Sequence, residues 1–276
     1  MKTQKEKAEI FEGLHRTGQC FIIPNPWDAG SARLLEHLGC PALATTGAGF
    51  AFSQGKSDLS IDAKDMLPRL SLLCAITNLP ISADLQNGFG HTPEAAAMTI
   101  TEAAKTGIVG GSIEDASGDF LDPIYDIGLA RERIQYAASA AKALGFKFML
   151  TARAENYFYG KFDLADTILR LQAYQDAGAD VLFAPGVQSK SDIRAILSSI
   201  DRPLNVLMGL QGEQLTLAEL NELGVARVSL GGSLARTAYS AMISAIEDIT
   251  STGCFGYACK AISGKEMNAI FDRPHS

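Results

Sequence analysis

The chain has 276 residues, of which 24 are Lys or Arg and 31 are Asp or Glu, giving a net charge of −7 at pH 7. This acidic balance argues against nucleic-acid binding and against an anionic membrane surface, since both need a concentrated positive surface. Hydrophobic residues make up 47% of the chain, so a disordered protein is excluded. Five cysteines, an odd number without a Cys-x-x-Cys pair, predict reduced thiols and a cytoplasmic protein.

Short apolar runs alternate with helix-length amphipathic segments along most of the chain. A first helix is predicted over residues 5–17, and no signal peptide or membrane span is expected. Eight strands are predicted at residues 21–24, 41–46, 81–84, 109–113, 147–152, 180–184, 204–208 and 226–230. Helices are predicted at residues 28–38, 60–73, from 92 onward, 128–144, 163–177, 191–200, 217–223 and 232–250.

Eight strand–helix units with short connections predict an α/β fold of the (β/α)8 TIM barrel type. We expect one domain over residues 1–276, with the barrel at about 20–250 and a C-terminal helical arm at about 251–276. Residues 47–58 are predicted to form a glycine-rich loop, and residues 115–127 the longest loop. A doubly wound dinucleotide-binding sheet is the alternative, but Gly47-Ala-Gly49 is followed by Phe52 instead of a third glycine.

Three charged residues fall at the ends of successive predicted strands: Asp84, Glu114 and Arg153. The carboxyl ends of barrel strands meet at one face, where barrel enzymes carry their active sites, so these side chains are expected to share one site. Two carboxylates facing one cavity suit Mg²⁺, which prefers oxygen ligands and keeps several waters. Arg153 is suited to clamp a substrate carboxylate or to neutralise a developing oxyanion. The alternative is structural: Asp84 caps a turn, and Glu114 pairs with Arg153.

Two glycine-rich turns at strand ends offer backbone N–H donors. Thr46-Gly-Ala-Gly follows the second strand, and Ser229-Leu-Gly-Gly-Ser233 follows the eighth. Either turn could cradle an anion, although such turns are common in barrels.

At these positions the chain resembles the isocitrate lyase and phosphoenolpyruvate mutase superfamily. The resemblance lies in Pro24-Asn-Pro-Trp-Asp-Ala-Gly-Ser-Ala-Arg33, Thr45-Thr-Gly-Ala-Gly49 with Asp58, Ser82-Ala-Asp84 through Gly90, Gly111-Ser-Ile-Glu-Asp115, Thr151-Ala-Arg153 and Gly231-Gly-Ser-Leu-Ala235. It implies a (β/α)8 barrel, Mg²⁺ or Mn²⁺, a small carboxylate substrate, and a homo-oligomer. In the family's tetramers the last barrel helix is exchanged between subunits, and we expect a tetramer or dimer here.

The resemblance also implies roles for individual residues. Asp84 would hold the metal directly or through water, Glu114 would hold it through water, and Asp58 would support the metal shell. The family often has a second acid two residues after the metal Asp, whereas this chain has Gln86, which could still bind a metal water. The resemblance thus implies a metal set of Asp84, Glu114 and Gln86.

Substrate binding is implied at the second and fifth strands. Thr46, Gly47 and Ala48 would hold the substrate carboxylate, with Arg153 on its other side. Arg153, Glu114 and Asp58 form the predicted catalytic set.

The loop at residues 115–127 departs from the best-known relatives. Isocitrate and methylisocitrate lyases carry Lys-Lys-Cys-Gly-His after the fourth strand, but this loop has no Cys, Lys or His, which points to a branch closer to phosphoenolpyruvate mutase. Asp119, Asp122 and Tyr125 are the candidates for proton transfer on this loop.

The resulting prediction is a Mg²⁺-dependent lyase. It would cleave a C–C bond of a small α-keto or 2-hydroxy dicarboxylate through a metal-stabilised enolate, as a decarboxylase or in the manner of isocitrate lyase. The alternatives are a P–C bond enzyme, such as a phosphonopyruvate hydrolase or phosphoenolpyruvate mutase, and a non-catalytic metabolite-binding relative. Apolar residues in the arm, Phe255 and Phe271 among them, predict docking on a neighbouring subunit or packing against the chain's own barrel.

Overall fold

Eight parallel strands form the centre of the computed structural model, which describes residues 1–209 and 212–272. The strands are β1 (Phe21–Ile23), β2 (Leu43–Ala44), β3 (Ile81–Asp84), β4 (Gly110–Glu114), β5 (Met149–Arg153), β6 (Val181–Phe183), β7 (Leu204–Leu207) and β8 (Arg227–Ser229). They pair in the order β1-β8-β7-β6-β5-β4-β3-β2. The sheet closes where the Ala44 N–H donates to the Pro24 carbonyl at 3.0 Å. The prediction of a (β/α)8 barrel is confirmed.

Helices surround the barrel and continue beyond it. They are α1 (Gln4–Leu14), α2 (Ala29–His37), α3 (Gly47–Ser53), α4 (Ala63–Ile76), α5 (Pro93–Ala104), α6 (Ile127–Lys142), α7 (Leu164–Asp176), α8 (Lys190–Leu197), α9 (Leu217–Leu223), α10 (Ser233–Thr252) and α11 (Gly264–Phe271). The caps predicted at Asp28, Thr92 and Asp163 are confirmed, since each side chain accepts a hydrogen bond from a first-turn N–H.

The prediction of a loop throughout residues 47–58 is wrong in its first half, because residues 47–53 form α3. Thr46 caps this helix by accepting a hydrogen bond from the Gly49 N–H at 3.2 Å. A Cβ added at Gly49 would lie 2.7 Å from Thr46 Cγ2 and 2.8 Å from Trp27 Cβ, so the glycine permits close packing here. Phe50 and Ala51 are buried, and this packing outweighs the low helix propensity of glycine.

Helix α1 covers the amino-terminal end of the barrel. Phe11 is fully buried and packs in a small cluster with residues at the starts of β4, β5 and β6. The opposite end of the barrel is left open, which is the end where the predicted site residues lie.

Helix α10 contributes little to the core of its own barrel. Of its 20 residues only Ala235 is buried, while Met242, Ile243 and Ile246 are 58%, 54% and 56% exposed. The arm returns to the barrel at α11, where the Arg33 guanidinium lies 5.9 Å from the centroid of the Phe271 ring. The end of the arm therefore packs against its own barrel. Exchange of α10 between subunits stays a prediction.

All five cysteines are free thiols, as predicted. Within residues 1–209 and 212–272, no helix has both the length and the apolar character needed to cross a membrane.

Candidate active site

The carboxyl ends of the strands open into a cavity of about 520 Å³. Its wall contains all the residues predicted for metal binding, substrate binding and catalysis outside the 115–127 loop: Thr46, Gly47, Ala48, Asp58, Asp84, Gln86, Glu114 and Arg153. The structure therefore brings the predicted residues together, and their individual roles stay predictions.

Arg153 lies at the centre of an ion-pair cluster in this wall. Its Nη1 atom is 3.0 Å from Asp84 Oδ1 and 3.0 Å from Glu114 Oε2, and its Nε donates to Glu155 Oε1 at 2.7 Å. The strand register explains the arrangement, because Glu114 is aligned with Arg153 across the β4–β5 pair and Asp84 ends the adjacent β3. The ion pair between Glu114 and Arg153, expected in the structural alternative, is present.

The cluster holds three carboxylates against one guanidinium, so it has excess negative charge when all are ionised. Burial raises the pKa of Glu114 well above its usual value, although Arg153 opposes the shift. Burial likewise raises the pKa of Glu155 to about 7 against the effect of Arg153. Burial alone would lower the pKa of Arg153, but Glu114, Glu155 and Asp84 outweigh it and raise that pKa. The cluster is therefore suited to accept a cation or a proton.

Asp84 also contacts the backbone of the second strand end. Its Oδ2 accepts a hydrogen bond from the Gly47 N–H at 2.9 Å, and its own N–H donates to Thr45 Oγ1 at 2.9 Å. These contacts fix the carboxylate at the boundary between β3 and α3.

Gln86 lies beside this carboxylate in a strained conformation. Its φ is 51°, in the left-handed region that non-glycine residues seldom adopt. Its side-chain Nε2 is buried and has no hydrogen-bond partner among the described residues. A Cβ added at Gly47 would lie 3.1 Å from this atom and 3.3 Å from Asp84 Oδ2, so both atoms face one small space. An unpartnered buried amide next to a carboxylate is suited to a polar ligand such as a metal-bound water.

The donor set fits a largely hydrated divalent cation. No group of three or more His, Cys, Asp or Glu side chains forms a metal cage within the described part of the chain. Mg²⁺ does not require one, because it commonly binds through one or two carboxylates and keeps its other waters. Asp84 and Glu114 supply the carboxylates, Gln86 the unpartnered amide, and exposed Asp58 lies at the mouth of the cavity.

Backbone donors occupy the wall next to Asp84. At the start of α3 the Gly47 N–H donates to Asp84 and the Gly49 N–H to Thr46, which leaves the Ala48 N–H for a ligand, and Thr46 adds a hydroxyl group. The turn after β8 packs against them: a Cβ added at Gly232 would lie 3.4 Å from Ala48 Cβ and 3.9 Å from Thr46 Oγ1. This side of the cavity is suited to a carboxylate.

Sequence reasoning missed Glu155, although its position two residues after Arg153 was an available signal. Asp115, the residue after Glu114, is buried behind the cavity, where it accepts hydrogen bonds from Tyr174 Oη at 2.6 Å, Arg170 Nη1 at 3.1 Å and the Glu155 N–H at 2.8 Å. Asp115 therefore supports the cluster from behind.

The proton-transfer candidates on residues 115–127 lie away from the cavity. Asp119, Asp122 and Tyr125 are absent from its wall, and the Tyr125 hydroxyl is 2.7 Å from His91 Nδ1. Phe120 at the tip of this loop is 95% exposed. The turn after β5 instead contributes Tyr159 to the cavity wall.

Comparison with known proteins supports the predicted resemblance. Residues 11–250 match the family model for phosphoenolpyruvate phosphomutase. A protein of uncharacterised function from Mycobacterium tuberculosis is 33% identical over 222 residues, covering 80% of this chain and 81% of its own. The 2-methylisocitrate lyase of Halalkalibacterium halodurans is 26% identical, with 88% and 77% of the two chains covered. The oxaloacetate decarboxylase of Chromohalobacter salexigens is 25% identical, with 89% and 85% covered.

Solved structures of similar proteins also support this resemblance. A predicted lyase/mutase from Burkholderia cenocepacia J2315 superimposes with a TM-score of 0.97 at 51% identity, covering 99% of this chain and 98% of the other. A 2,3-dimethylmalate lyase superimposes with a TM-score of 0.85 at 26% identity, covering 98% and 95%.

Proposed function

Because the chain belongs to the phosphoenolpyruvate phosphomutase family, we propose that it is a Mg²⁺-dependent carbon–carbon lyase acting on a small α-keto or 2-hydroxy dicarboxylate. The observation that carries this proposal is the cluster of Asp84, Glu114 and Glu155 around Arg153 at the open end of the barrel. The cluster combines ligands for a hard cation with a fixed guanidinium that can meet an oxyanion.

The chain's own residues would bind and orient the substrate. Thr46 and the backbone N–H of Ala48 would hold its carboxylate, and Arg153 would lie against the keto or hydroxyl oxygen. A Mg²⁺ ion bound near Asp84 would supply an electrophile that polarises the substrate's oxygen atoms. As the C–C bond breaks, its electron pair moves toward that oxygen, and the positive charge of Arg153 stabilises the developing negative charge.

Decarboxylation fits the cavity better than a retro-aldol cleavage. A retro-aldol step needs a base to remove a hydroxyl proton, whereas decarboxylation needs only the electron sink and a later proton. Among the described residues, no His, Lys or Cys lines the cavity, and the carboxylates of Asp84, Glu114 and Glu155 are each paired with Arg153. We therefore propose a 2-oxo diacid such as oxaloacetate as the first substrate to test.

The test measures pyruvate release from oxaloacetate, and 2-oxo acid release from a panel of 2-hydroxy diacids, with added Mg²⁺ and with EDTA. We expect product release faster than the uncatalysed rate. EDTA should abolish this release, and added Mg²⁺ or Mn²⁺ should restore it. The Arg153→Gln variant removes the positive charge from the cluster. Arg131→Gln is its matched control, because it removes the same charge from an exposed position on α6 that is not part of the cavity wall. Turnover that persists without metal would contradict the mechanism.

Cleavage of a P–C bond is the second candidate, favoured by the family model that the chain matches. Phosphorus NMR on phosphonopyruvate distinguishes it, since either hydrolysis or rearrangement gives a new phosphorus signal. A non-catalytic metabolite-binding role is the third, favoured by Gln86 in place of a second acid. Calorimetric binding of oxalate without turnover of any panel member would support that role.

We further propose a cytoplasmic homo-oligomer, a tetramer or a dimer, in which the exposed apolar face of α10 is covered by another subunit. Light scattering of the full chain and of a chain ending at Ser251 tests the arm. An unchanged mass for the shortened chain would show that the arm is not required for assembly.

A further inference from the structure

A buried arginine on α6 holds the loop that follows β3. Arg133 is only 1% exposed. Its Nη1 donates to the carbonyls of Gly90 at 2.7 Å and Thr92 at 3.2 Å, and its Nη2 donates to the Asn87 carbonyl. Its guanidinium also lies 4.6 Å from the centroid of the Tyr125 ring. One side chain therefore binds three carbonyls of the loop and fixes the position of the loop relative to α6.

The charge of Arg133 is not balanced by a carboxylate. It forms no ion pair with a described residue, and its buried Nε has no hydrogen-bond partner among them. Burial lowers the pKa of Arg133, because the charged guanidinium is less stable away from water. A neutral apolar side chain would fill the same volume without this desolvation. The geometry that the guanidinium imposes on the three carbonyls is therefore the better explanation for its presence.

The loop that Arg133 holds is strained at two positions. Gln86 and Phe89 have φ values of 51° and 52°, in the left-handed region, and Gly88 between them has a φ of 77°. Non-glycine residues keep this conformation only where the surrounding structure enforces it. The Asn87 carbonyl, which accepts a hydrogen bond from Arg133, lies directly between the two strained residues. Arg133 thus acts on the part of the loop that is strained.

Gln86 connects this loop to the candidate metal site. Its N–H donates to Asp84 Oδ1 at 3.3 Å, and its carbonyl accepts a hydrogen bond from the Glu114 N–H at 3.0 Å. Its unpartnered Nε2 faces the same small space as Asp84 Oδ2. Relaxation of the backbone at Gln86 would redirect this amide, because the direction of Cβ follows the backbone dihedrals.

We infer that Arg133 is a positioning residue, which holds the loop after β3 so that the Gln86 amide stays aimed at the candidate metal site. The inference rests on the proposed function only in assuming that a divalent cation binds near Asp84. Arg133 is not part of the cavity wall, so its influence on a ligand passes through the loop. Its effect should therefore disappear when the Gln86 amide has already been removed.

The test measures binding of Mn²⁺ alone to the full-length protein, by following the EPR signal of free Mn²⁺. Arg133→Gln removes the charge and the forked donors, and we expect it to weaken Mn²⁺ binding about 10-fold, as for loss of a residue that orients a metal ligand. Gln86→Leu should weaken binding by a similar factor. In the double variant, Arg133→Gln should add little to the effect of Gln86→Leu.

Two further variants separate positioning from a general loss of stability. Arg133→Lys should recover part of the affinity, because an ammonium group can still donate to some of the three carbonyls. Phe11→Leu is the control, since it disturbs the small cluster at the opposite end of the barrel. Its free energy of unfolding should fall, and its Mn²⁺ affinity should equal that of the wild type.

Four results would overturn the inference. They are an unchanged Mn²⁺ affinity in Arg133→Gln, losses in the two single variants that multiply in the double variant, an equal loss in Phe11→Leu, and a wild type that binds no Mn²⁺. If Arg133→Gln does not fold, Arg133→Lys is compared with and without Gln86→Leu in the same way. Because binding is measured without turnover, a protein that binds Mn²⁺ but cleaves no panel substrate would defeat the proposed lyase function and leave this inference standing.

Discussion

The two halves of the cavity wall differ in the chemical groups that form them. Strands β3 to β5 contribute charged side chains, namely Asp84, Glu114, Arg153 and Glu155, and hold them in a compact cluster. The half around β2 and β8 contributes small residues and backbone, with two glycine-rich turns packed against each other. The charged half creates an electrostatic field at one point, while the glycine half sets a shape and presents N–H groups. Changes in the first half should therefore affect catalysis, and changes in the second should affect packing and substrate binding.

The largest effect is expected at the centre of the charged half. Arg153→Gln removes the positive charge that all three carboxylates share, and we expect kcat/KM to fall about 10³-fold, as for loss of a main oxyanion donor. Steady-state kinetics on the active panel substrate checks this. Arg153→Lys keeps the charge but not the planar fork, so full activity in that variant would contradict the proposed contacts.

Asp84→Asn tests the carboxylate proposed for the metal. It retains the size of the side chain and removes one negative charge, and we expect about a 100-fold loss in kcat/KM with a 10-fold higher Mg²⁺ requirement. The measurement is a Mg²⁺ titration of the initial rate. Equal activity losses at all Mg²⁺ concentrations would argue that Asp84 acts without the metal.

The glycine half is tested by Gly49→Ala. The added methyl group would meet Thr46 and Trp27 at distances under 3 Å, so we expect a loss of about 1–3 kcal/mol in the free energy of unfolding. Gly13→Ala in α1 is the matched control, because nothing lies within 4 Å of its added Cβ. That change should be neutral or stabilising by about 0.5–1 kcal/mol in denaturant unfolding. If both variants unfold alike, close packing is not the reason for Gly49.

The smallest expected effect is on the pH dependence of the unfolding free energy, to which Glu155 contributes. Its pKa is about 7 in the folded protein, above the ordinary value of 4.5, so the protonated form favours folding. The contribution of Glu155 to stability is complete below the unfolded pKa and is lost as pH rises through about 7. Glu155→Gln should therefore flatten the fall in unfolding free energy between about pH 5 and pH 8. Exposed Glu132→Gln should leave the slope as in the wild type, and a slope unchanged in Glu155→Gln would show that another group causes it.

The sequence allowed the charged half to be predicted more fully than the glycine half. Parallel strands align their carboxyl ends, so charges at the ends of β3, β4 and β5 had to meet, and both the barrel and the family are confirmed. Helix α3 was missed because glycine favours loops locally, whereas the burial of Phe50 is a tertiary effect. The direction of Tyr125, which contacts His91, depends on packing between α5 and α6 that no local pattern indicates.

Helix α10 has a thermodynamic consequence for the whole molecule. Twenty helical residues extend about 30 Å, and one buried alanine cannot hold such a length to its own barrel. If α10 gains its stabilisation from a second copy, unfolding becomes subject to mass action. The melting temperature should then rise with protein concentration, and a dilute sample should lose α10 before it loses the barrel.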